Sequence, residues 1–165
     1  MQNFVTHSSP VPLDGGKVLL IVHALVAMAL LGAATHLVIV AWRLWRGERT
    51  ARRVRLLRIY SQVIGASFAT AFLLGAILYP IYRVRVRAEY LDHVAPWATN
   101  LFDLKEHAAA IALALAVLLF FAGRRLVLPG DARLLPVLAG CAAGLWALIL
   151  FATVAGLYVT SVRGV

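Results

Sequence analysis

The chain lacks most of what disulfide-built, metal-built and nucleotide-binding proteins require. One cysteine, Cys141, in 165 residues excludes an internal disulfide, a Cys-x-x-Cys zinc site and covalent c-type haem. Neither a Walker A loop, a G-x-G-x-x-G fingerprint nor a G-x-S-x-G elbow occurs, so no phosphate-cradling turn or hydrolase nucleophile is indicated. Charge is also scarce. Only 14% of residues are charged and seven are acidic, against about 25% charged in a soluble domain. The apolar share is 62% and the mean hydropathy is +0.87, more than a water-exposed surface tolerates.

The apolar residues are concentrated in four stretches, at about residues 17–42, 56–79, 100–122 and 134–158. A hydrocarbon core of roughly 30 Å needs about 20 apolar residues at 1.5 Å each. The stretches predict an all-α integral membrane protein, a single domain over residues 1–165 built as a four-transmembrane-helix antiparallel bundle. The lipid bilayer is then its first partner. The net charge of +9 does not point to nucleic acid, because the basic residues cluster in short connections between apolar runs.

Charge placement predicts the orientation. Arg43, Arg46, Arg49, Arg52, Arg53, Arg55 and Arg58 fall in residues 43–58, and Arg124, Arg125 and Arg133 lie in the third connection. The other side holds Lys17, Arg83, Arg85, Arg87, Lys105 and Arg163. Ten against six predicts N-out/C-out, with the arginine-rich loop 43–55 cytoplasmic and residues 80–99 an outer loop. No basic n-region opens the chain and the first apolar run is too long for an h-region, so no cleavable signal peptide is expected. Fourteen arginines against two lysines, with abundant Ala, Leu and Val, fit a GC-rich bacterium and hence a bacterial inner membrane.

Local signals add detail. Residues 1–16 read as an extended tail, with Pro10, Pro12, Gly15 and Gly16. Trp42 and Trp45 mark one interface, and Tyr79, Tyr82 and Tyr90 suggest an aromatic belt at the other. Pro80 is expected to end or kink the second helix. Residues 82–87 alternate valine and arginine with a strand-like period, although a helix would also place Arg83, Arg87 and Tyr90 on one face. Pro96 and Trp97 should break what precedes them. Asn100, with Asp103 three residues on, predicts a capped start for the third helix. The uninterrupted apolar run there is only residues 108–122, about 22 Å, so some of residues 103–107 must enter the membrane. Pro136 is tolerable in a first helical turn. Gly65, Ala66, Ser67, Ala69, Thr70 and Gly75 on the second helix, and the Gly140/Gly144 pair on the fourth, offer close-packing surfaces.

Histidine carries the functional signal. His7 and His93 fall in outer segments. His23, His36 and His107 fall in or beside apolar runs, where an ionisable side chain is expensive and marks function. His23 lies about 8 Å below the outer boundary of the first helix and His107 about 6 Å below that of the third. Two imidazoles at one depth on two helices make His23 and His107 the candidate metal ligands of a bis-imidazole haem b. Arg83, Arg85, Arg87 and Lys105 are candidates to meet the haem propionates. Asp103, one turn before His107, is a candidate to orient its ring. Asp103, Glu106 and His107 share a face and could instead relay protons or line a quinol site. His36, about 20 Å along the helix from His23 and roughly 220° around it, has no histidine at its depth. Bonds to Ser61 or Gln62, or contact with a partner subunit near Gly32, are the alternatives. Cys141 reads as packing.

In helix number and ligand placement the chain is similar to small membrane-bound b-type cytochrome subunits. That analogy implies a non-enzymatic redox subunit passing electrons between quinone and an outer carrier. A scaffold or accessory subunit of a larger complex, working with other membrane subunits or as a homo-oligomer, is the alternative. A small proton-coupled transporter is a third, disfavoured by the lack of charge within the second and fourth apolar runs.

Overall fold

The computed structural model describes residues 15–163. Four long helices account for nearly all of them: α1 (Gly15–Trp45), α2 (Ala51–Ile81), α3 (Pro96–Arg125) and α4 (Leu135–Val162). Each is long and apolar enough to span a membrane. The helices run up and down. α1 packs on α2 and α4, and α3 packs on α2 and α4, so α1 and α3 face each other across the diagonal. The start of α1 and the end of α4 therefore lie at one end of the bundle. The arginine-rich α1–α2 connection and the α3–α4 connection lie at the other, called the arginine end below.

The helix ends correct several expectations. Gly15 and Gly16 already belong to α1, while residues 1–14 of the expected tail, with His7, lie outside the described residues. α2 starts at Ala51 because Thr50 caps it: extended at φ −90°, it accepts a 3.3 Å bond from the Arg53 amide. Arg52, Arg53 and Arg55 are thus helical, leaving only a short turn around Gly47, whose φ of 100° suits glycine. α3 starts at Pro96, whose missing N–H is no loss in a first turn. Asn100 is not its cap, and Asp103 already stands in the second turn.

The segment expected to be an outer loop is helical. α2 runs through Pro80, becomes a π-helix at Tyr82–Leu91 and ends in a turn of α-helix at Asp92–Val94. Its buried residues explain the wide winding. Tyr82, Val86, Leu91 and Ala95 are covered, at spacings of four, five and four, broader than the 3.6 of an α-helix. A strand would put Val84 and Val86 on one face. Instead Val86 is 1% exposed and Val84 58%. Tyr82 is likewise buried rather than part of an interfacial belt.

The core has two parts. The larger runs from the arginine end to mid-bundle through Leu37, Leu44, Ile64, Ala116, Leu119 and Leu145. The smaller joins the π-helical cap to α3 and α4 through Tyr82, Val86, Leu91, Ala98 and Val159. α2 and α3 approach closely at Ser61 and Gly123, where a Cβ on the glycine would lie 2.7 Å from the serine Cβ. A second tight point is Gly65 against the Phe120 ring. α1 and α4 share a polar tie, Trp146 Nε1 donating to Thr35 Oγ1 at 3.0 Å. The Gly140/Gly144 pair makes no tight crossing: Gly140 is exposed with open space beside it, and Gly144 meets only Leu115.

Candidate functional site

Between the two apolar clusters lies a layer with a different composition. α1 contributes no buried residue from Gly15 to Ala29, its covered face beginning at Leu30. α2 contributes Gly75 and Leu78, α3 Lys105 and Ala108, and α4 Ala155 and Gly156. His23 of α1 leans on α2 here. A Cβ on Gly75 would lie 3.4 Å from its Cε1, so the glycine makes room for the imidazole. His23 Nδ1 is buried without a well-formed hydrogen bond among the described residues, although the Ala71 backbone lies within reach of the imidazole.

Lys105 reaches the same layer from α3. On that helix Ala98, Ala112, Ala116, Leu119 and Gly123 form the buried stripe, and at about 100° per residue Lys105 falls at its centre. Its Cδ passes the spot a Cβ on Gly156 would occupy, at 3.9 Å, and its ammonium lies 4.4 Å from the centre of the Phe102 ring. Phe102 in turn stacks on Tyr82 at 3.8 Å, and the Tyr82 hydroxyl is also buried without a partner. Lys105 bears electrostatically on His23, and Glu106 on Lys105. Phe102 thus joins the Lys105 cation to a buried phenol with no partner, and the Lys105 charge in turn bears on the His23 imidazole.

The predicted site residues are brought together only in part. His107 is exposed, with Nδ1 donating to the Asp103 carbonyl at 2.7 Å. It follows Lys105 by two residues, about 200° around the helix, so its ring points away from the layer that holds His23. The Asp103 carboxylate does not orient His107. It takes the Arg87 guanidinium, Nη1 to Oδ1 at 3.0 Å and Nη2 to Oδ2 at 3.4 Å. Arg87 also lies 3.6 Å from Asp92, which accepts a 2.9 Å bond from Thr99. Arg87 therefore fastens the π-helical cap to α3 and is not free for a propionate. Arg83 is exposed, on a cleft of about 340 Å³ shared with Tyr79, Arg87 and Asp92. Lys105, expected at the surface, is turned inward. His36 is exposed, donates to the Gly32 carbonyl at 2.9 Å and stacks on Tyr60 at 5.4 Å. Its aromatic partner is one residue before Ser61, and neither Ser61 nor Gln62 binds it. His93 is exposed, and Cys141 is half-buried against the larger core.

Tyr82 and Phe102 were missed in the sequence as site residues. Their only signal was the ring pairing itself, which spans two helices. Among the described residues no group of three or more His, Cys, Asp or Glu is placed to hold a metal ion. No family model, curated protein or solved structure matches the chain.

Proposed function

We propose that this small all-α, multi-span membrane protein is a redox-linked subunit of a bacterial cytoplasmic-membrane complex, and that the His23–Lys105 layer receives the ring of a quinone. One observation carries this reading: the Tyr82 hydroxyl is buried without a partner, its ring stacks on the Phe102 ring that also carries the Lys105 ammonium, and the Lys105 charge bears on His23, whose buried Nδ1 makes no well-formed hydrogen bond. A buried polar group with no partner costs about 1–3 kcal/mol; Ser61 Oγ is a third such atom, set in a packed crossing, whereas His23 and Tyr82 neighbour a cation and a ligand there would satisfy both. A quinone supplies what is missing. Its carbonyl oxygens accept from Lys105, from a protonated His23 nitrogen and from the Tyr82 hydroxyl. The unburied stretch of α1 leaves the layer open to the lipid from which a quinone arrives. Glu106, near Lys105, supplies a carboxyl through which a proton can move when the ring is reduced.

A haem b is the second reading, favoured by the unbonded His23 nitrogen. Within one chain His107 does not face His23, so His107 would serve as an axial ligand only to a haem shared with a neighbouring subunit.

The deciding experiment is an absorption spectrum and an organic extract of the detergent-purified protein. The quinone reading expects about one quinone per chain in the extract, a featureless visible spectrum before and after dithionite, and loss of most of the quinone in Lys105→Met. A quinone content that Lys105→Met leaves unchanged sinks it. A sharp reduced α-band moves the assignment to haem, with His23→Ala as the variant that must lose it.

A further inference from the structure

At the arginine end, far from the His23–Lys105 layer, a groove of about 730 Å³ runs between the first turns of α2 and the segment that leaves α3. Its polar wall is made by Arg49, Arg55 and Arg58, and its apolar wall by Ile59, Leu126 and Leu128. The arginines are poorly neutralised. Glu48 pairs with Arg53, which does not line the groove, and Arg58 reaches only the Leu126 carbonyl at 3.4 Å. Arg49 and Arg55 make no ion pair or hydrogen bond through their side chains among the described residues.

The groove sits where α2 passes from its arginine-rich start to its apolar length. Trp42 and Trp45 on α1 mark the same interfacial level, both exposed. Beyond the arginines the surface is apolar and uncovered at Ile59, Val63 and Val127. An occupant must therefore be anionic at one end, apolar over the rest, and aligned with the helices. We propose that this groove binds the headgroup of an anionic phospholipid, with the phosphodiester between Arg55 and Arg58 and an acyl chain along Ile59 and Val63. Guanidinium groups bind phosphate oxygens in pairs, and basic pockets between membrane helices suit such headgroups. A free phosphate would use the arginines but leave the apolar wall unused.

The test is native mass spectrometry of the full chain in detergent, with phosphatidylglycerol or phosphatidylcholine of the same acyl chains added, and with glycerol phosphate as the soluble competitor. The groove predicts at least about a tenfold excess of phosphatidylglycerol adducts, unaffected by millimolar glycerol phosphate. Arg55→Gln/Arg58→Gln should abolish the preference, whereas Arg124→Gln, outside the groove, should keep it. Melting curves and size-exclusion profiles check that the double variant is folded. If it is not, Ile59→Asp, which spoils only the apolar wall, must reduce the adducts instead. Equal uptake of the two lipids, equal loss in Arg124→Gln, or displacement by glycerol phosphate would each overturn the assignment.

Discussion

Lys105 occupies a position that the rest of the α3 stripe fills with alanine, leucine or glycine. Among the described residues its ammonium makes no hydrogen bond or ion pair and rests on Phe102. Replacing a buried charge by an apolar side chain of similar length is often neutral or stabilising. Compared in quinone-depleted samples, where loss of a bound ligand does not shift the midpoint, Lys105→Met is therefore expected to melt at the same temperature as the parent or higher. A clear fall in melting temperature would show that the cation is structural. Trp146 behaves in the opposite way. Its bond to Thr35 joins α1 to α4, and interhelical bonds of this kind contribute about 1 kcal/mol. Trp146→Phe should lower the unfolding free energy by about that amount and leave the proposed quinone binding unchanged.

At the scale of elements, the α2–α3 crossing is set by two glycines. A Cβ at position 123 would meet Ser61 Cβ at 2.7 Å, and one at 65 would meet the Phe120 ring at 2.7 Å. Overpacking of this kind costs about 1–3 kcal/mol. Gly123→Val, which meets a serine side chain and backbone, should destabilise the protein more than Gly140→Val, where the space is open. Equal loss at both positions, read from detergent melting curves, would contradict this geometry. The four spans were legible because hydropathy and length depend only on local composition. The cap at Thr50, the start at Pro96 and the course of residues 82–91 were not. The π-helix is selected by what Tyr82, Val86 and Leu91 bury against α3 and α4, and by the Arg87–Asp103 pair, contacts that do not exist until the helices meet. Arg87→Ala should therefore loosen that segment, seen as faster amide exchange over residues 82–94 with the larger core unchanged. The site was half legible for the same reason. Depth along a helix follows from counting residues, and it singled out His23. Which way Lys105 and His107 face depends on the rotation of α3, fixed by its alanine stripe and not by the residues around them.

For the whole molecule, the up-down arrangement places the start of α1 and the end of α4 together, with the arginine-lined groove at the opposite end. The side of the membrane each is expected to face rests on charge counting. Ten basic residues toward the arginine end against six toward the other favour that end as cytoplasmic. The rule counts Lys and Arg rather than net charge, so the pairing of Arg87 with Asp103 does not change the sum, and the inward turn of Lys105 removes a residue from the weaker side. Reporter fusions to the two ends should therefore agree with each other: alkaline phosphatase active at both, a cytoplasm-dependent fluorescent protein dark at both. Arg83→Gln/Arg85→Gln, which lowers the weaker side further, should leave the pattern intact, while removing Arg49, Arg52 and Arg55 together should produce a mixed population. Opposite results at the two ends would contradict the four-span fold. Agreement with the signs reversed would keep the fold, turn the arginine groove outward, and require the lipid bound there to come from the outer leaflet.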